Sequence, residues 1–181
     1  MIGLLASAIA AFGGRWWLSV AALHQRMPGP GLVAAVAVST FANVALSALA
    51  GAWIAGQVAG PGMLLFLALA ILAAAAALLW RARAMPDAAL ARGRGPVSAS
   101  VLLAGAQFGD SAQFVILAVA AQTGSGTLAA LGGIAGLMAA AMSATMAGTL
   151  RPRWISMARR SCGVLFLIIG AVMALSAMGR I

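Results

Sequence analysis

From Met27 to Trp80 the chain runs for 54 residues without a charged side chain, and two more such runs follow: 40 residues from Ser111 to Leu150 and 19 from Ser161 to Gly179. A helix that crosses a bilayer needs about 20 predominantly apolar residues. The three runs therefore hold two, two and one spans, and the stretch 2–23, interrupted by Arg15, adds a sixth. Only 7% of the 181 residues are charged, against about 25% in a soluble domain, so a water-facing surface cannot be built. The sequence predicts an all-α polytopic membrane protein with six transmembrane helices near 2–23, 31–57, 62–80, 97–121, 127–149 and 160–178.

Short punctuation separates these helices: Pro28, Gly29 and Pro30; Gly60, Pro61 and Gly62; Gly124, Ser125 and Gly126; and Arg151 to Arg153 around Pro152. One longer connection, Arg81 to Pro96, splits the chain near its middle. The N-terminal helix is read as retained, because a signal peptide would need a basic start and an apolar run where Arg15 falls. With six spans, one side of the membrane receives Arg26, Arg81, Arg83, Arg92, Arg94, Arg151, Arg153, Arg159 and Arg160, while the other holds Arg180. The positive-inside rule then places those loops in the cytoplasm and both termini outside, as in a bacterial inner (cytoplasmic) membrane. The net charge of +9 thus orients the chain among lipids, and no nucleic acid is expected as a partner. Cys162 is the one cysteine, so no disulfide forms within the chain.

The two halves resemble each other. Ala10-Ala11-Phe12-Gly13-Gly14-Arg15 aligns with Ala106-Gln107-Phe108-Gly109-Asp110-Ser111 at an offset of 96, which also pairs Leu32 with Leu128 and Ser47 with Ser143. Three spans per half is an odd number, so the second half enters the membrane from the opposite face. This predicts two inverted three-helix repeats, 1–80 and 97–181, joined by an arginine-rich linker, 81–96. Transporters built this way place a substrate near the midplane, between the repeats.

The run Gln107-Phe108-Gly109-Asp110-Ser111-Ala112-Gln113, followed by an Ala-rich helix, a Gly-rich helix and the closing Gly163 to Gly170, resembles the second half of the Gdt family of cation/proton exchangers (uncharacterised protein family 0016). That family carries E-x-G-D-[KR]-[ST] once in each half. The resemblance implies a manganese or calcium antiporter whose motif acids form the cation site. In this chain the motifs are degenerate. Gln107 stands at the glutamate of the second motif, Asp110 matches the aspartate, and Ser111 and Ala112 replace the last two positions. In the first motif Ala11, Gly14 and Trp16 replace the glutamate, aspartate and hydroxyl residue, while Gly13 and Arg15 match. Asp87 is the one other acid, and there is no glutamate.

Divalent cations of this class are held largely by several oxygen ligands with carboxylate charge. Asp110, assisted by Gln107, is therefore a reduced metal site. Along the ion pathway the candidate residues are Asp110, Gln107, Gly109, Ser111, Gln113, Arg15, Gly13, Gly14 and Asn43. An intramembrane charge costs about 2.5 to 3.5 kcal/mol, so Arg15 and Asp110 are expected to pair across the pseudo-twofold. Gln107, Asp110, Ser111 and Phe114 would share one helical face, and Ala11, Arg15 and Ser19 another. Ser39, Asn43 and Ser47 follow at i, i+4 steps. Ser39, Ser47, Ser143, Gly132 and Gly136 read more simply as packing and hydrogen-bonding material between membrane helices. Trp16 and Trp17 are read as space-filling, Trp80 and Trp154 as headgroup-level anchors, and His24 as an interfacial anchor. The ten methionines lack thioether-site spacing, no enzyme motif appears, and no cofactor is expected. Three functions remain open: a secondary transporter with an altered substrate, such as a proton or monovalent cation; a transport-inactive relative; and an ordinary manganese or calcium exchanger. A homo- or hetero-oligomeric partner could supply missing acids.

Overall fold

In the computed structural model, residues 2–80, 85–146 and 152–179 are described, with side chains from 5–80, 85–146 and 153–179. Among them there is no strand. Nine helices follow one another: α1 (Ile2–Ala11), α2 (Arg15–Arg26), α3 (Pro30–Gln57), α4 (Pro61–Leu79), α5 (Asp87–Arg92), α6 (Pro96–Gln107), α7 (Ser111–Thr123), α8 (Gly126–Thr145) and α9 (Pro152–Ala177). Helices α3, α4 and α8, and α9 from Arg153, are long and apolar enough to cross a membrane, and α6 with α7 forms a fifth candidate bent by 72°. Pro30, Pro61, Pro96 and Pro152 each open a helix, because a proline at the first helical position loses only an amide that would be unbonded anyway.

The expected second, third and fifth spans match α3, α4 and α8 to within a few residues. Two expectations are corrected. The stretches expected as the first and fourth spans are not straight helices: each breaks, at residues 12–14 and 108–110, where Gly13 (φ 67°) and Gly109 (φ 75°) take left-handed conformations that stop the preceding helix, and α1 with α2 is not among the five candidates. The last helix begins at Pro152 rather than near 160, which moves Arg153, Arg159 and Arg160 out of a loop and onto α9. Arg81, Arg83, Arg151 and Arg180 lie outside the described residues.

The offset of 96 seen in the sequence carries through the helices. α1 and α6 end at Ala11 and Gln107, α2 and α7 begin at Arg15 and Ser111, and α3 and α8 begin at Pro30 and Gly126. The turns at the two breaks also match, since Gly14 N–H donates to Ala11 O (3.2 Å) and Asp110 N–H to Gln107 O (2.9 Å). Packing follows the same exchange: α1 lies on α8 and α6 on α3, while α3 touches α8 and α4 lies along α9. The helix pairs that correspond run antiparallel. Gly126 abuts Ala48 and Ala52 of α3 whereas Gly133 abuts Val44, and Gly163 abuts Leu79 of α4 whereas Gly170 abuts Leu72. Glycines at these crossings let helices approach closely, which holds membrane bundles together where lipid removes the hydrophobic drive between helices.

The core beneath the breaks is built from small residues and two tryptophans. Trp16 and Trp17 are fully buried among Ala10, Ala11, Val20, Leu103 and Ala106, and Phe12 tilts against Trp17 with ring centroids 5.1 Å apart. On the outside, α9 exposes Val164, Leu165, Leu167, Ile168, Ile169 and Val172, a surface suited to lipid. Arg26, closing α2, forms an ion pair with Asp87, the first residue of α5. Both side chains are open to solvent, so the pair contributes less than about 1 kcal/mol. Arg26→Ala is accordingly expected to leave the thermal unfolding midpoint of the purified protein nearly unchanged.

Candidate ion site at the paired helix breaks

Asp110 is the centre of the site. It caps α7: its Oδ1 accepts from the backbone N–H of Ser111 (2.9 Å) and from Ser111 Oγ (3.3 Å). The carboxylate also projects into the other break. A Cβ built on Gly14 would lie 2.8 Å from Asp110 Oδ2 and 3.0 Å from Oδ1, so the missing side chain at 14 is the space the carboxylate fills. Gly14 is the N-cap of α2, so the carboxylate that fills the space beside it stands at the first turn of that helix. One carboxylate therefore lies at the N-terminal, partly positive ends of two helices, α7 and α2, where negative charge is stabilised. Positions 14 and 110, related by the offset of 96, meet face to face.

Around this centre the two halves are stitched together. Ser111 Oγ donates to Ala10 O (2.6 Å), a last-turn carbonyl of α1. Gln113 Oε1 accepts from Gly109 N–H (2.7 Å), its Nε2 donates to Asn43 Oδ1 (2.8 Å), and Asn43 Nδ2 donates to Ser39 O (3.0 Å) and Ala104 O (3.3 Å). This relay fixes the break between α6 and α7 against α3. At the position equivalent to Gln113, Trp17 Nε1 donates to Ser143 Oγ on α8 (2.9 Å). Gln113→Leu would leave the Gly109 amide and the Asn43 carbonyl unpartnered, and each buried orphan costs about 1 to 3 kcal/mol. We expect this variant to unfold at distinctly lower temperature than wild type and to show faster hydrogen exchange at Gly109.

Several buried polar atoms have no hydrogen-bond partner among the described residues: Asp110 Oδ2, both amide atoms of Gln107, Thr40 Oγ1, Trp16 Nε1 and Arg159 Nε. Such groups are costly to bury and are what an ion or water would satisfy. The chemistry available to a metal is nevertheless sparse. Among the described residues no group of three or more His, Cys, Asp or Glu side chains comes together.

Of the residues picked out from sequence, Asp110, Gln107, Ser111, Gln113 and Asn43 are buried, and Gly13, Gly14 and Gly109 shape the two breaks. Arg15 is the correction. It is exposed, and the described residues contain no ion pair between it and Asp110. The break at 12–14 rotates α2 so that Trp16 and Ser19, not Arg15, turn inward. The shared face of Gln107 with Asp110 and Ser111 also dissolves, because these residues stand on either side of a bend. The cation that does face the carboxylate is Arg159, two turns into α9. It reaches inward past the first break, with Cδ 3.5 Å from the position of a Gly13 Cβ, and Nη2 donates to Ala77 O in the last turn of α4. It also borders a cavity of about 340 Å³ together with Ser143, Cys162 and Phe12. The signal for Arg159 was Pro152: a helix opening at that proline carries residue 159 seven positions on, back to the same face.

No curated protein and no solved structure matches the chain. Residues 96–180, covering α6 to α9 and the break at Asp110, match the family model described as divalent cation/proton antiporter GDT1. Its apolar helices mark an integral membrane protein, and its second half, with the helix break and the buried aspartate, is similar to the GDT1 family of cation/proton exchangers.

Proposed function

We propose that the chain is a Gdt-type secondary transporter whose cation site is reduced to one carboxylate, Asp110, which carries a proton or a monovalent cation in place of manganese or calcium. The observation that carries this reading is the Asp110 carboxylate itself, buried at the junction of the two breaks with Oδ2 unpartnered. Two helix N-termini and Arg159 already offset its charge. A divalent ion would add two positive charges to a site holding one negative one, without the further carboxylates such ions use to replace their water.

The architecture that serves this function is a pair of inverted repeats, 1–80 and 97–181, joined by 81–96. The antiparallel contacts of α3 with α8 and of α4 with α9 support it, as do the matched breaks. Alternating access then consists of one repeat rocking against the other around Asp110. The Arg26–Asp87 pair supports placing the first loop and the linker on one side, the cytoplasmic one by the charge rule, with both termini outside.

The test is ion flux in proteoliposomes. Gradients of Mn²⁺, Ca²⁺, Na⁺ and K⁺ are imposed in turn, and internal pH is followed with a trapped dye. Proton movement, alone or coupled to Na⁺ or K⁺, with Mn²⁺ and Ca²⁺ inert is the expected result. Robust Mn²⁺ or Ca²⁺ exchange would overturn the reduced-site reading. Silence for every ion would favour the second reading, a transport-inactive relative, which the presence of Arg159 opposite the carboxylate specifically supports.

A further inference from the structure

We infer that Arg159 sets the charge selectivity of the Asp110 site, as a resident cation that tolerates a singly charged entrant and rejects a doubly charged one. This rests on the reading of Asp110 as the group that binds the ion. The two side chains approach neighbouring residues of the same break: Arg159 Cδ lies 3.5 Å from where a Cβ would stand on Gly13, and Asp110 Oδ2 lies 2.8 Å from where one would stand on Gly14. They do not form an ion pair within 4 Å among the described residues. Arg159 is instead held by Ala77 O on α4, while its Nε and Asp110 Oδ2 are both buried and unpartnered.

An ion held at Oδ2 therefore need not displace the guanidinium, yet it lies in the guanidinium's field. Coulomb repulsion is proportional to the charge of the entrant. If Arg159 weakens a monovalent ion by some factor, it weakens a divalent ion by the square of that factor, so the residue discriminates by valence without touching the ion. Arg159 is anchored at its far end to an α4 carbonyl that the helix itself leaves free, which keeps the charge in place. Its other neighbours, Phe12, Ser143 and Cys162, bring no charge to compete with it.

The experiment measures binding directly, by the loss of the free Mn²⁺ paramagnetic signal and by Na⁺-dependent thermal stabilisation of purified full-length protein. Wild type is compared with Arg159→Gln, Arg159→Lys and Arg159→Gln/Asp110→Asn. Arg159→Gln is expected to bind Mn²⁺ about tenfold or more tightly than wild type, with a smaller gain for Na⁺, as the valence argument requires. Arg159→Lys should stay close to wild type, and the double variant should lose the gain. Equal gains for both ions, no gain for Mn²⁺, or a lysine variant that behaves like the glutamine variant would overturn the inference. Should Arg159→Gln fail to fold, Arg159→Cys in a Cys162→Ser background is labelled with a cationic or a neutral methanethiosulfonate of similar size. The cationic adduct alone should restore discrimination against Mn²⁺, and identical behaviour of the two adducts would overturn the inference. Because binding is read without flux, an inactive wild type whose Arg159→Gln form gains Mn²⁺ separates failure of the transport reading from failure of this one.

Discussion

Asp110→Asn is expected to abolish ion movement while the protein still folds. Asparagine is as good an N-cap as aspartate, occupies nearly the same volume, and can accept the Ser111 N–H bond that starts α7. What it removes is charge. At about 5 Å and an effective dielectric near 20, a carboxylate attracts a monovalent cation by about 3 kcal/mol, or two orders of magnitude in occupancy. A proton loses its acceptor altogether. Flux in proteoliposomes should fall to the level of empty liposomes, with the thermal midpoint in detergent close to wild type. Wild-type flux in this variant would move the carrier elsewhere, and the only other acid in the chain is Asp87, which is exposed on α5.

Gly51→Leu produces the largest loss of stability. Helices α3 and α7 meet backbone to backbone at this point: a Cβ on Gly51 would overlap Leu117 O, and would lie 2.7 Å from Ala120 Cβ and 3.1 Å from Ala121 N. Backbone atoms cannot swing aside as a side chain would, so the helices must separate. Overpacking a core usually costs about 1 to 3 kcal/mol, occasionally more, and a rigid backbone contact belongs at the upper end or beyond. The Gln113 to Asn43 relay between the same two helices would stretch with them. Gly56→Ala, five residues along α3 with nothing within 4 Å of the new Cβ, is the control. It should be neutral or stabilising by up to about 1 kcal/mol through helix propensity. Size-exclusion profiles after a heating series distinguish the two variants, and equal behaviour would contradict the close crossing.

The long helices were readable because composition alone defines them: α3 and α4 fill an uncharged run, and prolines mark where they start. The breaks were not, because the stretches 2–23 and 97–121 stay largely apolar on both sides of residues 12–14 and 108–110. Hydropathy registers composition but not a change in φ. A signal was present in the repeated Phe12-Gly13 and Phe108-Gly109 pairs, each followed two residues later by a helix start. Reading straight helices through them put Arg15 inside and produced the wrong ion pair. The offset of 96 was the sounder guide, since it matched position 14 with position 110, and these are the positions that touch. Arg159 was hidden by its neighbourhood, grouped with Arg153 and Arg160 as a topology signal although its own side chain reaches inward.

The occupied space beside Gly14 has a consequence for how this protein can change. The carboxylate that would be gained by Gly14→Asp has no room, because the oxygens of Asp110 already stand about 3 Å from its first carbon and carry like charge. A second acid is therefore blocked until the first one moves, and moving it breaks the cap on α7. A one-acid site of this shape is a ratchet: single substitutions lead away from it only at a loss, and a two-acid arrangement is reached by paired changes across the two halves.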